Sequence, residues 1–242
     1  MENNDLIIHL KDINFSYPGG APVLDKLNLK LYRGNRFGLM GPNGSGKTTL
    51  FHIIMGLLKP DSGRIEIYNQ LVKKENDFRR VRRKIGLLFQ DADDQLFSPT
   101  VIEDVAFGPL NLGKSQEEAM EIAQKTLRFL GLTGFEDRIT YKLSGGEKRL
   151  ISLATVLAME PEVLLLDEPT SGLDDKTKAV LKDILSGLDL SYIFISHEID
   201  FLAEITGSIY LMEHGQIHFD REVHVHHHVH AHPHGAYKHE HH

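Results

Sequence analysis

Residues 41–50, GPNGSGKTTL, restrict the chain more than any other stretch. They fit the pattern G-x-x-x-x-G-K-[ST], with Gly41, Gly46, Lys47 and Thr48 in register. Glycines lacking a Cβ let successive backbone N–H groups turn inward and cradle phosphate oxygens. Lys47 adds a positive charge at the β/γ-phosphates and the Thr48 hydroxyl offers a ligand to Mg²⁺. The apolar run RFGLM (36–40) precedes the loop, and TTLFHIIMGLL (48–58) follows at helical spacing. The phosphates would then lie at a helix N-terminus. A glycine-rich turn matching by chance would not bring this strand and helix with it. The phosphate-contacting set is Gly41, Asn43, Gly44, Ser45, Gly46, Lys47, Thr48 and Thr49.

Further on, three more apolar runs end in polar residues. KIGLLFQ stops at Gln90, VLLLDE at Asp167 and Glu168, and SYIFISH at His197. Buried runs alternating with helices imply a largely parallel sheet, and ligands gather at the carboxyl edge of such a sheet. These side chains are therefore expected to meet at the phosphate loop. There Asp167 would hold Mg²⁺ through water, and Glu168 would act as general base toward the attacking water. Gln90 would touch Mg²⁺ or that water, and His197 the γ-phosphate. Each alone could equally be an ordinary polar residue at a strand end.

LSGGE (143–147) reads in two ways. Ser144 and Glu147 form a capping box, a plain folding device. Gly145 and Gly146 are nevertheless costly at a helix start unless something must approach the backbone. A Ser hydroxyl and free N–H groups there form a second anion site, which suggests two chains sharing each nucleotide.

The flanking segments complete the outline. LIIHLKDINFSY and VLDKLNLKLYRG read as β segments separated by Pro18-Gly19-Gly20. RIEIYNQ (64–70) reads as one strand, and RRVRRK (79–84) as a solvated helix end. Helices are expected over 115–132, 147–159 and 174–188, and a hairpin with Gly215 in its turn over 208–220. A net charge of −7 argues against nucleic acid as a partner. The absence of cysteine excludes disulfides and thiolate chemistry. No apolar run is long enough to span a bilayer. The acidic N-terminus does not read as a signal peptide.

In its ordered motifs, GPNGSGKTT, Gln90, LSGGE, VLLLDEPTSGLD and His197, the chain resembles the ATP-binding cassette ATPases over about residues 5–220. The resemblance implies an α/β fold: a P-loop RecA-like core with a mostly parallel sheet, an N-terminal antiparallel β-subdomain and a helical subdomain over about 91–159. The cassette would occupy 1–222, and 223–242 would be a separate tail. The resemblance also implies a head-to-tail homodimer with ATP and Mg²⁺ as ligands. In it, Ser144, Gly145 and Gly146 of one subunit close on the γ-phosphate held by the other. Tyr17 matches the aromatic that stacks on adenine, and Ser171–Asp174 the loop crossing the seam, which makes Asp174 a site residue. Glu147 departs from the family's usual Gln.

FQDADDQLFSPTVIEDVAFGPLNLG (89–113) looks like the ATPases of energy-coupling-factor importers and their nickel/cobalt relatives. It implies that Gln95, Leu96 and Phe97 border the groove receiving a helix of a transmembrane coupling subunit, or belong to the helical core. A DNA-maintenance ATPase would insert heptads before the signature, and a ribosomal cassette protein would be basic with two cassettes; neither fits.

Ten of the 15 histidines follow Glu222. His224, His226, His228, His230, His232 and His234 alternate, a spacing suited to Ni²⁺ or Co²⁺ chelation in an extended segment. Val, Ala, Pro and Gly punctuate the run, unlike an affinity tag. The expected function is that of an ATPase subunit powering nickel or cobalt uptake, peripheral on the cytoplasmic face of the inner membrane. It would work beside a coupling subunit and a substrate-binding membrane subunit. The rival readings are a vitamin importer's shared ATPase and a metal-buffering ATP-binding protein.

Overall fold

The computed structural model describes residues 6–219. The chain opens with strands β1 (Leu6–Ser16), β2 (Pro22–Tyr32) and β3 (Arg36–Met40), then helix α1 (Lys47–Ile54). β4 (Ser62–Ile67), β5 (Gln70–Leu71), α2 (Glu75–Val81) and β6 (Ile85–Leu88) follow. Three helices come next: α3 (Val101–Asn111), α4 (Gln116–Phe129) and α5 (Gly145–Leu157). The remainder is β7 (Val163–Asp167), α6 (Asp175–Gly187), β8 (Ser191–Ile195), α7 (Ile199–Ile205), β9 (Ser208–Glu213) and β10 (Gln216–His218).

Two sheets form. An antiparallel one runs β2-β1-β4-β5, and a six-stranded one runs β10-β9-β3-β8-β7-β6. In the second, β9, β3, β8, β7 and β6 are parallel neighbours and only β10 is antiparallel. Their apolar runs are continuous because both faces are covered. Val163 and Leu165 of β7 pack with α1 and the antiparallel sheet, while Leu164 and Leu166 pack with α5, α6 and α7. All four are wholly buried. In β2, Leu27, Leu29 and Leu31 alternate inward as their spacing requires.

Two expectations change in detail. The strand expected over 64–70 is a hairpin, β4 and β5, because Tyr68 and Asn69 both take positive φ (51° and 59°) and reverse the chain. The helix expected over 48–58 is shorter, since Gly56 sits at φ 69° with Phe78 packed where a Cβ would lie. The expected hairpin around Gly215 is present as β9 and β10.

Candidate nucleotide site

β3 delivers the loop at residues 41–46, and α1 leaves it. Two glycines are required by space. A Cβ at Gly41 would lie 2.1 Å from the Met212 carbonyl oxygen, and one at Gly46 (φ 103°) 2.7 Å from Leu24 Cδ2. Lys47 is buried, and its Nζ donates to the Gly41 and Pro42 carbonyls at 2.8 and 3.1 Å, curling over the loop. Burial lowers the Lys47 ammonium below its ordinary value, opposed by Glu168 and Asp167 nearby. The Ser45 hydroxyl is buried with no partner among the described residues.

The parallel register then fixes what faces the loop. Leu39 and Asp167 both pair with Ile195, and Leu88 pairs with Leu166, so β3, β8, β7 and β6 end at one edge. A cavity of about 570 Å³ opens there. It is lined by Tyr17, Asn43, Gly44, Gly46, Lys47, Thr48 and Thr49 of the expected set, and also by Gln90, Asp167, Glu168 and His197. A groove of about 680 Å³ elsewhere, beside Tyr32, Arg36 and Phe219, contains none of these residues.

The two carboxylates differ. Asp167 is buried, its Oδ1 lacks a partner, and the Thr48 hydroxyl donates to the carboxylate. Burial raises its carboxyl above the ordinary range against the pull of Thr48, His52, Lys47 and Arg149. Glu168 is left-handed at φ 47°, a conformation that strains a non-glycine residue, and its N–H donates to the Ile195 carbonyl at 3.0 Å. Burial raises its carboxyl too, with His197 opposing and Asp167 reinforcing. His197 Nε2 lies 3.1 Å from Glu168 Oε1 without the alignment of a hydrogen bond. An unpartnered buried carboxylate oxygen, a hydroxyl and the amide of Gln90 on one wall form the hard oxygen donor set that Mg²⁺ takes. The exposed Tyr17 stands at the rim, its hydroxyl 3.2 Å from Thr49 Oγ1.

Four expected site residues lie elsewhere in this chain. Ser144, Gly145 and Gly146 begin α5 outside the cavity, with open space around Gly145. The capping box is formed: Ser144 Oγ accepts the Glu147 N–H and Glu147 Oε2 the Ser144 N–H. Asp174 is also outside, capping α6 by accepting the Thr177 N–H at 2.8 Å. The histidines from His224 to His234 lie outside the described residues.

Arg149 has no place in the motif reading, yet it is buried and donates to the carbonyls of Phe89 and Gln90 at 2.7 and 2.6 Å. It ties α5 to the residues that follow β6. In the sequence, Arg149 is the last charge before the uncharged run from Leu150 to Met159. The run after Gln90 divides. Leu96 is core, Phe97 is 65% exposed, and Gln95 is held by Ser152 and Thr155.

The ABC transporter family model matches residues 24–171. An energy-coupling factor transporter ATP-binding protein, EcfA of Methanothermobacter thermautotrophicus, is 41% identical over 215 residues, 87% of this chain and 69% of that protein. CbiO1 of Clostridium perfringens, described as part of the ABC transporter complex cbiONQ, is 34% identical with a TM-score of 0.79, covering 89% and 88% of the two chains. A dimeric ATP-binding cassette in a post-hydrolysis state, bound to ADP and Pi, is 29% identical with a TM-score of 0.81, covering 90% and 98%.

Proposed function

Because the chain belongs to the ABC transporter family of ATP-hydrolysing cassettes, we propose that it is the motor subunit of a nickel or cobalt importer of the energy-coupling-factor type. The observation that carries the motor reading is the convergence of Gln90, Asp167, Glu168 and His197 on Lys47 in one cavity. ATP stacks its adenine on Tyr17 and lays its phosphates on the loop from Gly41 to Thr49. Thr48, Asp167 and Gln90 would hold Mg²⁺, which would supply positive charge against the charge developing on the phosphates. Glu168 removes a proton from water as its oxygen bonds to the γ-phosphorus. The bridging P–O bond breaks, and ADP leaves with that electron pair. His197 hydrogen-bonds the γ-phosphate and keeps the water in line.

Half of the site comes from a second copy. Ser144, Gly145 and Gly146 of one subunit cap the γ-phosphate on the other, and Asp174 lies at the seam; the open space at Gly145 supports this. The cassette covers 1–222, with its helical subdomain over about 91–159. The chain works peripherally on the cytoplasmic face of the inner membrane, and no described helix is long and apolar enough to cross it. Phe97 and Phe107, edge to face at 4.7 Å and both exposed, flank an apolar groove of about 260 Å³ suited to a helix of the coupling subunit. A substrate-binding membrane subunit completes the complex. The cargo assignment rests on the histidines after Glu222, of which His224, His226, His228, His230, His232 and His234 form the chelating series.

Glu168→Gln tests the motor. Hydrolysis should fall by about 10²–10⁴-fold, as for loss of a general base, while ATP-bound dimers accumulate. Unchanged turnover would remove Glu168 from the chemistry.

A further inference from the structure

Within the composite-site reading above, Glu147 poses an electrostatic problem. A carboxylate in the first turn of α5 is favourable to the helix itself. It also stands beside a backbone end that must receive a highly charged phosphate. Both of its oxygens are engaged: Oε2 accepts the Ser144 N–H at 2.8 Å and Oε1 accepts from Arg138 Nη1 at 2.9 Å.

Arg138 is exposed, but its backbone is held in place. Its N–H donates to the Phe135 carbonyl at 2.9 Å, and its own carbonyl accepts the Val101 N–H at 3.1 Å. The guanidinium carbon sits 3.7 Å from the Phe135 ring centroid. The neighbouring Lys148 is turned away to Asp93 at 2.6 Å, leaving Arg138 as the cation on Glu147.

We propose that Arg138 is a positioning residue of the composite nucleotide site: it fixes Glu147 in the cap of α5 and cancels its charge, so that this helix end can accept the partner-bound γ-phosphate. Gln in place of Glu147 would keep the cap and need no such cation.

The test measures ATP-driven dimerisation of the full chain by light scattering, in a Glu168→Gln background. Arg138→Gln should raise the ATP concentration needed by about two- to fivefold, the range of an exposed ion pair, and the difference should shrink in high salt. Glu147→Gln should dimerise like the parent, and Glu147→Gln with Arg138→Gln should recover the parent behaviour. Recovery excludes a folding defect in the single variant. A double variant as weak as Arg138→Gln, or an Arg138→Gln chain indistinguishable from the parent, overturns the assignment. A parent that stays monomeric with ATP overturns the composite-site reading itself.

Discussion

Asp167 illustrates a cost carried by a single residue. Its folded carboxyl is raised by burial above its unfolded value. The sign follows: its favourable contribution is complete below the ordinary carboxylate range and is lost as pH rises through the raised value. Above the ordinary carboxylate range, the burial of Asp167 therefore weakens the ligand-free fold. Asp167→Asn should raise the Tm of the nucleotide-free protein above neutrality, with the gain vanishing as the pH falls into the carboxylate range. The same variant should lose the further Tm rise produced by adding Mg²⁺ to ATP. Differential scanning fluorimetry across pH reads both. Asp167, Glu168 and Lys47 were legible from the sequence, because their chemistry is tied to fixed places in short motifs. Arg149 and Arg138 were not, since a guanidinium's role depends on which carbonyl or carboxylate the fold brings to it.

Among the elements, α5 has the most to do. Its start faces open space at Gly145, and its body lies on β6. Gly86 permits that contact, because a Cβ there would lie 2.3 Å from Val156 Cγ1. Gly86→Ala should destabilise the fold by about 1–3 kcal/mol through overpacking, read from urea unfolding. Gly145→Ala should not destabilise the fold, since nothing lies within 4 Å of its added methyl; ATP-driven dimerisation should fail instead. The pair separates glycines kept for packing from those kept for a partner. Periodicity located α4, α5 and α6 to within a few residues, and Ser115, Ser144 and Asp174 each cap the helix that follows. α3 lies inside the stretch expected only as a helical subdomain over about 91–159, and it runs through Gly108-Pro109. In the fold, Gly108 sits within α3 where a Cβ would meet Met159 at 2.6 Å. Tyr68-Asn69 reversed a strand that alternation alone carries straight on, since its two positive-φ residues have ordinary side chains.

For the whole molecule, the nucleotide cavity and the histidine-rich segment lie apart along the chain. The nucleotide cavity draws on residues from Tyr17 to His197, while the histidine-rich segment begins after Glu222. Deleting 223–242 should leave ATP hydrolysis intact and abolish stoichiometric Ni²⁺ or Co²⁺ binding, measured by titration calorimetry near neutrality. Binding by the full chain should weaken below about pH 6, as imidazoles protonate and cease to be ligands. Undiminished binding after deletion would detach the metal assignment from the tail.

The linear order of residues already determined the chemical parts: a loop able to wrap phosphate, carboxylates and a histidine ending apolar runs, and a glycine-rich helix start. Those features are local, set by backbone freedom, side-chain period and the groups that each residue carries. Which parts stand together was decided only in three dimensions. The parallel register of β3, β8, β7 and β6 brings their ends to one edge, and burial there leaves Asp167 and Ser45 with unmet polar atoms. It also leaves Gly145 outside that cavity and facing open space, because proximity depends on how helices pack across the sheet rather than on spacing along the chain.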